Sequence, residues 1–151
     1  MSHWLTRLIA IALVGCGPMD ETPGLRLGGT ETDPPASFEF LSEHDVIQLA
    51  AEGAVLPRVV NIWGVGLGDS IFVWTGPETG WGQRIEKRPD VRVRVGDSAY
   101  PMRAARVEDD AARERVYGAF MAKYGEELKE MYGRAPTIED FELFYRLSPR
   151  S

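Results

Sequence analysis

The chain has 151 residues, 44% of them hydrophobic and 26% charged, with 17 Lys+Arg against 23 Asp+Glu for a formal charge of -6. That is enough apolar material for one domain core. The acid excess argues against nucleic acid as a partner, because affinity there comes from cations neutralising phosphates. A single cysteine leaves no internal disulfide and no thiolate metal cluster, so stability rests on apolar packing.

Read from the start, "MSHWLTR" carries one cation, Arg7, and Leu8 to Val14 form an apolar run that ends at Gly15 and Cys16. Basic, apolar and small regions in this order predict a signal peptide over residues 1–15. The run is far shorter than the ~20 residues of a membrane-spanning helix. Leu13-Val14-Gly15-Cys16 resembles the lipobox of bacterial lipoproteins. The resemblance implies cleavage before Cys16 and lipidation of that residue, palmitate being a typical chain. Two or three acyl chains anchor stably where one does not, at about 0.8 kcal/mol per buried methylene. The membrane is then a partner through the lipid anchor, and the location is extracytoplasmic, at the cell membrane or the outer membrane. Gly17 follows the cysteine instead of an aspartate, which favours the outer membrane where the host has one. Removing residues 1–15 takes away Arg7 and no acid, so 16 cations face 23 acids and the formal charge becomes -7.

Residues 16–35 contain four glycines and four prolines, a composition that predicts a flexible tether; within it, Leu25 and Leu27 of "LRLGG" are able to dock on a domain. Residues 36–151 are read as that domain. "DVIQLAAEG" (45–53) has a helix-start signal at Ser42 and Asp45, but Val46, Ile47 and Leu49 suit a strand, and we read a strand. "RVVNIWGV" (58–65) and "SIFVWTG" (70–76) are two strands around "GLGD" (66–69), a hairpin turn. In "DVRVRV" (90–95) Val91, Val93 and Val95 share one face and Arg92 and Arg94 the other, so one side of the sheet is expected in water. "GDS" (96–98) turns the chain into a return strand over 99–107. Asp109 or Asp110 caps a helix in which Val116, Phe120 and Tyr124 repeat at helical spacing. Gly125 is expected to end it, with a second short helix over 126–133. "FELFYRL" (141–147) closes the fold as a strand.

These elements predict a mainly β (α+β) domain, an antiparallel split β-barrel with one main helix. The block 70–125 resembles the flavin- and deazaflavin-binding split barrels, relatives of pyridoxamine phosphate oxidase and of deazaflavin-dependent nitroreductases. Trp81, Ile85, Pro89, Val91 and Val93 stand at the matching positions. "PGL-LGG" (23–29) and "KYG" (123–125) are similar to those of a set of bacterial lipoproteins. The resemblance implies FMN or a deazaflavin as a possible cofactor and a homodimer with the cofactor at the seam. Two departures bear on activity. Arg84 replaces the asparagine of the deazaflavin branch, and the loop "GPETG" offers Glu78 where the family has a basic residue.

The segment 75–88 is the best candidate site. Thr75 brings a hydroxyl, Trp81 a ring able to stack, and Arg84 and Lys87 cations for an anionic group. The alternative is a surface loop leading into a short helix whose charges are solvated, with Trp81 plugging one end of the barrel. Trp63 and Trp74 are expected to pair across the first hairpin. His44 is the only histidine after residue 15, which gives a metal centre or a nucleophile–histidine pair little to build on. Two functions remain open: a lipid-anchored binding or structural module, or a flavin- or deazaflavin-dependent oxidoreductase of the nitroreductase or quinone-reductase kind.

Overall fold

A computed structural model describes residues 26–51 and 57–150. The signal peptide, Cys16 and Leu25 lie outside the described residues, as do residues 52–56. The strands are β1 (Thr30–Glu31), β2 (Ile47–Ala51), β3 (Arg58–Ile62), β4 (Gly64–Leu67), β5 (Ser70–Thr75), β6 (Asp90–Val95), β7 (Ser98–Arg106) and β8 (Leu143–Pro149). The helices are α1 (Gly80–Lys87) and α2 (Asp110–Tyr132), with short 3-10 turns at Glu39–Glu43 and Ile138–Asp140. One sheet runs in the order β3-β2-β6-β7-β8-β5-β4, antiparallel throughout, and β1 adds to β7 in parallel. The split-barrel class expected from the sequence is the one observed, with α1 as a second helix.

Both hairpins expected between consecutive strands form. Their two-residue loops, Gly68-Asp69 and Gly96-Asp97, put glycine first at φ +58° and +57°. That is the demand of a turn whose twist matches the flanking strands. The run 58–65, however, is two strands and not one. It breaks at Trp63, so that β3 pairs with β2 while β4 pairs with β5. Since β3 and β4 end the sheet on its two sides, a single residue joins its opposite edges.

Alternation sorts side chains into two cores. Ile71 and Val73 of β5, Val91, Val93 and Val95 of β6, and Tyr145 and Leu147 of β8 fill the barrel, with Phe38 and Leu41 closing one end. Phe72 and Phe144 point the other way and pack under α2 against Val116, Phe120, Tyr124 and Leu128. The backbone passes very close at that end: a Cβ on Gly66 would lie 1.8 Å from the Phe38 carbonyl oxygen. The expectation that Arg92 and Arg94 share a wet face holds only for Arg92. Arg94 is 3% exposed, because the chain before β1 crosses it at Gly29. Thr30 and Glu31, within the segment read as tether, pair with Ser98 and Ala99 of β7.

Helix α2 begins as expected, with the Asp109 carboxylate accepting from the Ala112 amide at 2.8 Å. Its first segment ends beside Gly125, as expected, and the second segment expected over 126–133 follows across a kink. The backbone bends at Tyr124 (φ -119°, ψ 18°) and the helix continues to Gly133, which caps it at φ +69°. At the bend Lys123 Nζ donates to the carbonyls of Leu41 (2.6 Å), His44 (2.6 Å) and Gly64 (2.9 Å). The Tyr124 hydroxyl lies 2.8 Å from Asp45 O and 3.1 Å from Gly64 O, and accepts from Gly64 N at 3.3 Å. Burial lowers the Lys123 pKa, opposed by Asp45. Lys123→Met keeps the length and leaves three carbonyls without that donor. At about 1.5–3 kcal/mol per charge-assisted bond, reduced by the water that reaches a half-buried site, the loss should be about 3 kcal/mol. Urea unfolding of the two proteins measures it, and a difference below about 0.5 kcal/mol, the level of an ordinary surface change, would show that the clamp contributes nothing.

Candidate functional site

Three of the four tryptophans converge on one cavity of about 420 Å³, lined by Trp63, Trp74 and Trp81 with Ile62, Asn61, Thr75, Gly76 and Thr79. Val46 and Met131, 47% and 59% exposed, stand at its rim. None of the described lining residues is charged. The walls are fixed from behind. Trp63 stacks on Tyr124, 4.7 Å between centroids and 7° between planes. Trp74 packs on Phe141 at 4.9 Å and on Tyr132 at 6.5 Å. The pairing expected between Trp63 and Trp74 gives way to these contacts, because the α2 aromatics occupy the outer face of the hairpin. The Trp74 indole Nε1 is enclosed without a hydrogen-bond partner.

In the segment 75–88 the loop leads into a short helix, as expected, which begins at Gly80. Thr79 occupies the N-cap position without capping. Its hydroxyl instead meets the Thr75 hydroxyl and donates to Gly76 O at 3.1 Å, so the first-turn amides of α1 receive no side-chain acceptor. Gly82 makes this fit possible: a Cβ there would stand 2.6 Å from Thr79 Oγ1 and 3.1 Å from Thr75 Cγ2. At its other end α1 is tied to the sheet. Glu86 accepts from the Tyr145 hydroxyl and from Arg106 Nε. Those two bonds hold its carboxyl below the usual range. Burial, and then the same carboxylate, push the Tyr145 phenol up to about 12.

The sequence-predicted site residues separate into two places. Thr75 and Trp81 line the cavity together. Arg84 sits half-exposed one turn further along α1 and is not a lining residue. Lys87 lies at the far end of the helix, in a different cleft of about 360 Å³ with Arg88, Pro89, Asp90, Arg103 and Arg150. Thr79, Asn61 and Met131 are additions made by the structure. A threonine just before a helix is an N-cap signal, so Thr79 is findable from sequence; nothing local marks Asn61 or Met131, which reach the cavity through tertiary packing. Among the described residues no cluster of three or more His, Cys, Asp or Glu is arranged to hold a metal. No described helix is long and apolar enough to cross a membrane.

No curated protein sequence matches the chain. Its fold is shared with several solved structures. An FAD-binding protein from Mesorhizobium loti aligns with a TM-score of 0.54 and 15% identity, over 74% of this chain and 83% of that one. An F420-H2-dependent reductase aligns with a TM-score of 0.56 and 15% identity, over 70% and 95%. A third structure, a domain-swapped dimer, aligns with a TM-score of 0.55 and 16% identity, over 70% and 81%. At these identities the likeness is one of fold. Over residues 38–140, two thirds of the sequence, the chain matches the family model described as uncharacterized protein conserved in bacteria (DUF2255), and it belongs to that family.

Proposed function

We propose that the protein is a lipid-anchored, extracytoplasmic binding module whose tryptophan-walled cavity takes a flat, uncharged ring. The observation that carries this reading is three indoles on one cavity whose described lining residues are all uncharged. Flat faces favour stacking. The volume suits a small ligand. The uncapped amides of α1 are donors for a carbonyl edge, and the Thr75 and Thr79 oxygens, whose protons go to Gly76 O, are acceptors for a ring N–H. An isoalloxazine or deazaflavin ring fits this chemistry. The phosphate of FMN finds no cation among the described residues that line the cavity. The second reading, a flavin- or deazaflavin-dependent oxidoreductase, is favoured by the FAD-binding protein and the F420-H2-dependent reductase that share the fold.

Tryptophan fluorescence decides between them. Riboflavin, FMN, a deazaflavin and haem are titrated separately. Riboflavin should quench to saturation, and FMN should bind no more tightly than riboflavin. Trp81→Ala should weaken binding about tenfold, in keeping with ~1–3 kcal/mol for stacking on an aromatic side chain. Arg84→Ala should leave affinity unchanged. FMN or deazaflavin binding tenfold tighter than riboflavin, and lost in Arg84→Ala, would establish the oxidoreductase reading instead. If none saturates, the ring site is wrong.

The anchor rests on "LVGC" after the apolar run. The protein expressed in bacteria should incorporate labelled palmitate, and the Cys16→Ala variant should not; equal labelling of both would rule the anchor out.

The exposed rim residues Val46 and Met131 leave apolar surface beside the cavity, and a second copy of the chain is the proposed cover, in keeping with the dimer among the shared folds. Sedimentation of the Cys16→Ser chain should give twice the monomer mass, and a monomer at high micromolar concentration would exclude it.

A further inference from the structure

We infer that the cleft at the C-terminal end of α1 is a second site, independent of the aromatic cavity, that holds a phosphate-type oxyanion. Its charge is out of keeping with the rest of the chain. Lys87, Arg103 and Arg150 line about 360 Å³ of space together with Arg88, and Asp90 is the one carboxylate among the described lining residues, in a protein whose formal charge is -6. Four arginines elsewhere each have a carboxylate of their own: Arg92 with Glu31, Arg106 with Glu86, Arg134 with Asp140, and Arg146 with Asp69. Asp90 is shared. Arg103 Nη1 lies 2.9 Å from one of its oxygens and Arg150 Nη1 3.3 Å from the other.

The strand register brings these residues together. Asp90 and Arg103 are directly opposite in the β6–β7 pair. The end of β8 runs beside Met102, and the Arg150 amide donates to Pro101 O at 3.1 Å. The Arg150 guanidinium reaches Val91 O at 3.4 Å while its Nε is enclosed without a partner. Lys87 and Arg88 arrive from the last turn of α1 and the residue after it. Two planar guanidiniums pinned by one carboxylate present their remaining N–H groups at fixed angles, which suits the oxygens of a phosphate. The exposed ammonium of Lys87 adds charge without geometry. Pro89 keeps the floor rigid. Part of the effect of Lys87 is an ordinary one, complementing the negative end of a helix, but that does not account for Arg103 and Arg150, which come from the sheet. Trp81 and Lys87 are separated by about 9 Å along α1, so occupancy of one site does not require the other.

The phosphate has two plausible sources, a soluble phosphate compound or a lipid headgroup, and the test separates them. Pyrophosphate is titrated calorimetrically into the full Cys16→Ser chain at constant ionic strength, with chloride as the control anion. Saturable binding is expected, at least tenfold weaker in the Lys87→Gln/Arg103→Gln double variant. Circular dichroism of each variant checks its fold. The Lys87→Gln single variant changes only an exposed side chain and should itself weaken binding about threefold, so a misfolded double variant does not spare the proposal. In the second arm the same protein is sedimented with phosphatidylglycerol vesicles and with phosphatidylcholine vesicles. Capture by the first alone, reduced in Lys87→Gln, assigns the site to lipid headgroups. Pyrophosphate binding without vesicle capture assigns it to soluble phosphates. Absence of both, equal competition by chloride, or affinity unchanged in Lys87→Gln and the double variant overturns the site. None of these outcomes bears on riboflavin in the tryptophan cavity.

Discussion

The arrangement of the whole domain depends on where helix α2 bends. Lys123 and Tyr124 are adjacent residues, yet both reach carbonyls of the Leu41–Asp45 segment and of Gly64. Two neighbours on a regular helix diverge by about 100°; the non-helical dihedrals at Tyr124 bring them to the same carbonyls. The bend therefore exchanges some helical hydrogen bonding for a clamp onto backbone groups that no strand pairs. Everything downstream is positioned by it. The second half of α2 is directed over β5 and β8, Tyr132 reaches Trp74, and Met131 reaches the mouth of the cavity. Trp63 has its flat backing because Tyr124 is held there.

The local parts of this fold are legible in the sequence and the long-range parts are not. Each Gly-Asp loop announces its hairpin, since only glycine accepts the first position cheaply. Asp109 announces the start of α2. The break at Trp63 carries no such mark. "RVVNIWGV" is β-branched and aromatic on both sides of it, and the division is imposed by two different partners, β2 and β5. Arg94 shows the same limit. Alternation assigns it to the face opposite the valines, which is right, but does not show that the chain around Gly29 covers it.

The candidate site divides along the same line. Thr75 and Trp81 are findable because glycines, a hydroxyl and an indole coincide in one short stretch. Sequence proximity alone groups Lys87 with them. Once Gly80–Lys87 is helical, six residues carry Lys87 about 240° around the axis from Trp81, and it faces other cations. Arg84 is turned only about 60° from Trp81 on the same count, but the cavity is lined without it. What looks in sequence like one loop rich in every kind of recognition chemistry is a helix that sorts them, apolar at one end and basic at the other.

Trp63, the single residue between the two edge strands, has a consequence for the cavity itself. Its walls come from both sides of that corner, Asn61 and Ile62 from β3 and Trp74 and Thr75 from β5, which pairs with β4. A sheet whose edges were joined by a long connection could widen its seam by loop motion. Here the seam is spanned by one peptide unit on either side of an indole, and Gly64 beside it is packed so closely that an added Cβ would meet Ile47 at 2.7 Å. The β3 side and the β4–β5 side of the cavity are thus joined at one covalent corner, while Trp81 is brought to it by α1. On the proposed reading, a ring entering between the β3 and β5 walls would meet a gap that one residue, and not a loop, holds at its width.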